Sequence, residues 1–177
     1  MKFDNRFWGR FLEVVCKILM PVYVVFTYLN TLWPELIYES TILEAMESLY
    51  GFNAAALSFT SRVFAGFLNG VSCVFVVYIL VLCIQLARFL VRGTIFSVQS
   101  ADLFTRLRNI SFCWAIYGMI SMTLFSYLFF PKMTLKQFLI GASMNGLFYA
   151  LVLALITVLA AVVVRGVRLQ HDNDLTV

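Results

Sequence analysis

The sequence predicts an all-α fold, a polytopic four-helix transmembrane bundle with short amphipathic helices at its interfaces. Three observations predict it. Four long apolar runs, roughly 11–32, 63–86, 110–130 and 138–164, occupy most of the chain. A helix rises about 1.5 Å per residue, so about 20 such residues cross a hydrocarbon core of about 30 Å. Hydrophobic residues make up 62% of the 177 and charged residues only 12%, too little polar surface to coat a water-soluble core. The third observation is where the charges sit. Lys2, Arg6 and Arg10 precede the first run, Arg88, Arg92, Arg106 and Arg108 lie between the second and third, and Arg165 and Arg168 follow the fourth. The other two loops hold only Arg62, Lys132 and Lys136. Positive charge near span ends stays on the cytoplasmic side, which puts both termini and the central loop there. The whole chain, 1–177, reads as a single membrane domain in a bacterial inner membrane.

The first element begins as an amphipathic ramp. Arg6, Arg10, Glu13 and Lys17 share one helical face, while Phe7, Trp8, Phe11, Leu12 and Val15 cover the rest. Glu13 precedes Lys17 by four residues, the favourable order for a helical ion pair. These charges interrupt the run, and no small-residue cleavage site follows promptly, so the segment reads as a retained anchor. Pro21 removes one backbone donor and is a candidate kink. Beyond Trp33 and Pro34, the acids Glu35, Glu39, Glu44 and Glu47 alternate with apolar residues up to Tyr50. That spacing predicts an outer amphipathic helix stopped by Gly51, either a lid over the bundle or an acidic receptor surface.

The second span carries Gly66-Phe67-Leu68-Asn69-Gly70, a small-xxx-small pattern that permits close helix approach. The fourth echoes it in Ala142, Asn145 and Gly146, so spans two and four are expected to pack there, Asn69 near Asn145. Between spans two and three runs the central loop. Gly93 breaks the second helix, Ser97 is an N-cap, and Asp102 is placed to pair with Arg106. Leu103, Leu107 and Ile110 share a face, which predicts a helix running straight into span three. Pro131-Lys132-Met133-Thr134 then closes a short hairpin to span four.

Here the chain resembles a known family. The turn Ile95-Phe96-Ser97, with the helix ending Arg106-Leu107-Arg108-Asn109-Ile110, is similar to the central motif of the domain-of-unknown-function 2975 family, small bacterial membrane proteins with four spans. The ending Asp174-Leu175-Thr176-Val177 resembles the one many members share. Where members often carry an acid and an asparagine after the Phe-Ser turn, this chain has Gln99 and Ser100. The resemblance implies an inner-membrane protein, encoded in some members beside a small helix-turn-helix regulator. It implies no activity.

Chemistry-bearing groups are sparse. The only histidine is His171, flanked by Asp172 and Asp174, a poor metal site. Cys16, Cys73, Cys83 and Cys113 lie in or beside the spans, where cysteine acts as a small hydrophobe. No Ser/His/Asp set can be assembled within the spans and no glycine-rich loop is placed to cradle phosphate. No enzyme, no cofactor and no metal are therefore expected, and the charges read as lipid-facing rather than as a nucleic-acid site. The expectation left is a sensing or scaffolding protein with a cytoplasmic recognition surface for a protein partner. Its candidate residues are Phe96, Ser97, Asp102, Arg106, Arg108, Asp172, Asp174, Leu175 and Val177. The tail ends in a short extended-looking segment, suited to capture by strand addition or, the preferred reading, to folding back with Asp172 or Asp174 on Arg106 or Arg108. The alternative is an oligomeric pore or carrier for a small or lipophilic solute. A polar stripe would mark the pore, and a dry core the scaffold.

Overall fold

The computed structural model describes residues 5–32, 44, 46–49, 51, 58–130 and 132–174. Among them are four long helices and no strand: α1 (Asn5–Leu32), α2 (Phe59–Arg92), α3 (Val98–Phe129) and α4 (Leu135–Asp174). Each is long and apolar enough to cross a membrane. They run 28, 34, 32 and 40 residues, so even α1 measures about 40 Å and outreaches the hydrocarbon core. Their surfaces agree with lipid as the surrounding solvent. Along α4, Leu147, Leu151, Leu155, Val158 and Val162 are all exposed, a stripe that water would not tolerate but acyl chains would.

Local chemistry sets the helix ends. Ser58 caps α2, its Oγ accepting from Ser61 N at 3.1 Å. At the other end Gly93 takes φ +70°. There Gly93 N donates to Leu90 O and Thr94 N to Phe89 O, the paired bonds of a Schellman ending that satisfies two orphan carbonyls. Thr134 starts α4 with a capping box: Gln137 N donates to Thr134 Oγ1 at 3.3 Å, and Thr134 N to Gln137 Oε1 at 2.9 Å. Of the expected outer helix, Glu44 and 46–49 are helical, and the rest lies outside the described residues. Gly51 ends it as expected, with φ +73° and its amide bonded to Glu47 O.

α4 continues unbroken past the fourth apolar run to Asp174, and the extended ending expected over 175–177 lies outside the described residues. Extending an existing helix fixes one residue per hydrogen bond, whereas stopping it needs a positive specifier. Arg165, Arg168, Leu169 and Gln170 are good helix formers, no proline follows, and Gly166 alone costs too little to end the helix.

The chain packs as two units. Met1–Pro21, Phe75–Cys113 and Ala150–Val177 form the first, and Val22–Val74 with Trp114–Tyr149 the second. The first is built around Leu82, Leu86 and Leu107, with Ile79, Cys83, Leu103, Phe104, Ile110 and Ile156 packed on them. Leu103, Leu107 and Ile110 thus use their shared face as expected. In the second unit Ala65 and Phe129 are buried under Phe125, Phe130 and Met46. Met46 comes from the outer helical segment, so that segment has an apolar footing in this unit.

Candidate functional site

The polar residues of the first unit gather around three joints. The first joins α1 to α2. Gly9 is buried, and a Cβ there would lie 2.5 Å from Val91 Cγ2 and 2.9 Å from Ala87 O, so only glycine lets the backbones approach this closely. One turn on, Glu13 accepts from Lys17 at 2.9 Å and from Arg88 of α2 at 3.2 Å. The expected local pair is therefore one arm of a triad that ties two helices together. A carboxylate between two cations is the usual way to keep an acid at a membrane edge.

The second joint is the turn before α3. Ser100 N donates to Ser97 Oγ and Ser97 N to Ser100 Oγ, each at 3.2 Å. Ser100 Oγ lies against the carbonyl oxygens of both Ile95 and Ser97, and the side chain is wholly buried. Ser97 is the N-cap read from the sequence. Ser100 stands at the third helical position, where a capping box usually has glutamate or glutamine, and it makes the reciprocal contact as a neutral hydroxyl.

The third joint closes this turn on α4. A Cβ on Gly166 would collide with the Phe96 ring at Cδ1 and Cε1, so the ring packs against the bare glycine. The turn of the central loop and the last part of α4 thus meet through an aromatic–glycine contact. Arg106 pairs with Asp102 at 2.8 Å, and Arg108 donates to Asn109 Oδ1 at 3.0 and 3.2 Å, all within α3. Asp172 is exposed, while the side chain of Asp174 and the residues Leu175 and Val177 fall outside the described residues. Val98, next to the turn, and Leu169 of α4 are exposed apolar residues, and Arg165 and Arg168 of α4 are exposed as well.

In the second unit the small residues of α2 and α4 meet side chains of α1 and α3. Gly70 faces Tyr28 Oη, Gly141 faces Met122 and Gly146 faces Met119, while Gly66 is half-buried. Asn145 is exposed and donates to Gly141 O of its own helix at 2.9 Å, and Asn69 is half-buried. The expected approach of these two asparagines is thus not what engages Asn145. Three aromatic residues absent from the sequence reading join the helices instead. Tyr117 Oη donates to Leu68 O at 2.5 Å, and Trp114 Nε1 donates to Ser72 Oγ at 3.3 Å, two bonds that clamp one turn of α2. Tyr149 stands edge-on to Trp114 at 5.1 Å and fills the space over Gly118. The signal was present in the sequence as a tryptophan and a tyrosine three residues apart, beside a glycine, in an otherwise aliphatic run.

No cluster of three metal-ligating side chains occurs among the described residues. Compared with protein families, residues 25–177 match a family described as "Protein of unknown function (DUF2975)". Comparisons with curated proteins and with solved structures returned no match.

Proposed function

The chain belongs to the DUF2975 family, and from that premise and the geometry above we propose that it is a non-enzymatic membrane scaffold with a recognition surface on its cytoplasmic side. The surface consists of the Phe96 turn, the exposed first turns of α3 and the end of α4. One observation carries the reading. The Phe96–Gly166 contact joins the family-like central motif to the tail helix, making one surface from two segments far apart in sequence. Fixing a surface in advance lowers the ordering cost of binding a partner. Val98 and Leu169 would supply apolar anchors, and Arg106, Arg108, Arg165 and Arg168 a basic rim. A partner with an acidic face around an apolar patch fits this chemistry. A small regulator encoded nearby, as the family resemblance implies, is the first to try. The satisfied aromatic clamps of the second unit favour the scaffold over the pore, because their polar atoms are bonded to protein.

The test is mild crosslinking in native membranes, comparing the full chain with one cut after Arg168. A partner captured by the full chain and lost from the shortened one supports the reading. Self-crosslinks alone, unaffected by the cut, would oppose it and favour an oligomeric pore.

A further inference from the structure

Two stripes run side by side along the start of α1. Arg6, Arg10 and Lys17 lie on one, interrupted by Glu13; Phe7, Phe11, Val14 and Ile18 lie on the next. The apolar stripe is uncovered along its length, with exposures of 60%, 50%, 54% and 58%. Arg6, Phe7, Arg10, Phe11 and Val14 line a groove of about 530 Å³. Its orientation is fixed from behind, where Gly9 abuts Ala87 and Val91 and Glu13 holds Arg88. Glu13 is engaged by Lys17 and Arg88, while Arg6 and Arg10 stand exposed one to two turns nearer the start of the helix.

We propose that this groove binds one anionic phospholipid, its phosphate on Arg10 and Arg6 and an acyl chain along Phe11, Val14 and Ile18. The argument is complementarity in both charge and order. A phospholipid joins an anion to an apolar chain, and α1 presents cations toward its start with an apolar wall continuing past them. Arginine's planar fork matches phosphate oxygens two at a time, which gives the headgroup an orientation as well as an attraction. Free phosphate would meet the cations but leave the aromatic wall uncovered. The proposal stands independently of the protein-partner reading, since its residues lie outside that surface.

The full chain is reconstituted in phosphatidylcholine bilayers, and the motionally restricted fraction of spin-labelled phosphatidylglycerol is compared with that of spin-labelled phosphatidylcholine. The expected result is a preference for phosphatidylglycerol of at least about fivefold, the scale of one surface arginine. Arg6→Gln with Arg10→Gln should bring it to parity, while Arg6→Lys with Arg10→Lys, which keeps the charge but not the fork, should keep only part of it. Arg165→Gln with Arg168→Gln removes the same charge elsewhere and should change it little. Parity in the unaltered protein would overturn the proposal, as would a preference that survives Arg6→Gln with Arg10→Gln. An equal loss from the Arg165 and Arg168 pair would overturn it in favour of diffuse surface charge, and displacement of the lipid by excess inorganic phosphate in favour of a free-phosphate site.

Discussion

Gly166 is where two opposed effects of one methyl group can be separated. Alanine in a helix interior is about 1 kcal/mol better than glycine, whereas forcing a methyl into an occupied space costs about 1–3 kcal/mol. With Phe96 lying on it, Gly166→Ala should destabilise the first unit; in a Phe96→Ala background the same change should stabilise it. Thermal unfolding of the four proteins in detergent gives both signs, and the same sign in both backgrounds would deny the contact. Two serines give opposite predictions under one substitution. Ser100→Ala removes the acceptor of Ser97 N and the hydroxyl bonds to Ile95 O and Ser97 O, leaving only the Ser100 N–Ser97 Oγ half of the cap, and should cost about 0.5–2 kcal/mol. Ser111→Ala should be neutral or stabilising by about 1 kcal/mol, because the buried Ser111 Oγ has no hydrogen-bond partner. Unfolding midpoints check both. At this scale the sequence was half legible. Ser97 announces itself as a cap because its hydroxyl has a fixed job at that position. A glycine names no neighbour, so Gly9 and Gly166 carried no visible signal of what would lie against them.

Between elements, hydrogen bonds from aromatic tips join α3 to α2, beside glycines packed against tyrosine and methionine side chains. The Tyr117 hydroxyl binds a carbonyl of α2 in the apolar interior, where an interhelical bond is worth about 0.6 kcal/mol on average and up to about 1.7. Tyr117→Phe keeps the ring and removes the bond, so a loss within that range is expected on unfolding in detergent. A loss several times larger would mean that the ring is the main contact. Span positions were legible because their length is set by the bilayer, and the hairpin before α4 because proline stops a helix. The Thr134-x-x-Gln137 box was equally written in the sequence and passed unread. The run of α4 on to Asp174 has a physical reason too: the preceding turns had already met the nucleation cost of the polar residues that follow the span.

For the whole molecule, the four membrane-crossing lengths, the exposed aliphatic stripes and the family match describe a multi-pass membrane protein. Many of its polar side chains are used in structure: a triad and a serine cap in the first unit, two helix caps and tyrosine and tryptophan clamps in the second. Composition predicted the economy of charge. It could not predict the pairings, since Glu13 and Arg88 are 75 residues apart and only the fold brings them together. The account's central claim is that the closed Phe96 turn and the end of α4 form one protein-binding surface. The most direct measurement places a photoreactive side chain at position 98 or 169 and maps its adducts in native membranes, with and without Gly166→Leu to displace Phe96. The account predicts the same partner protein from both positions, with its yield falling several-fold in the leucine variant. Lipid adducts or self-adducts alone from both positions, insensitive to the leucine, would contradict it.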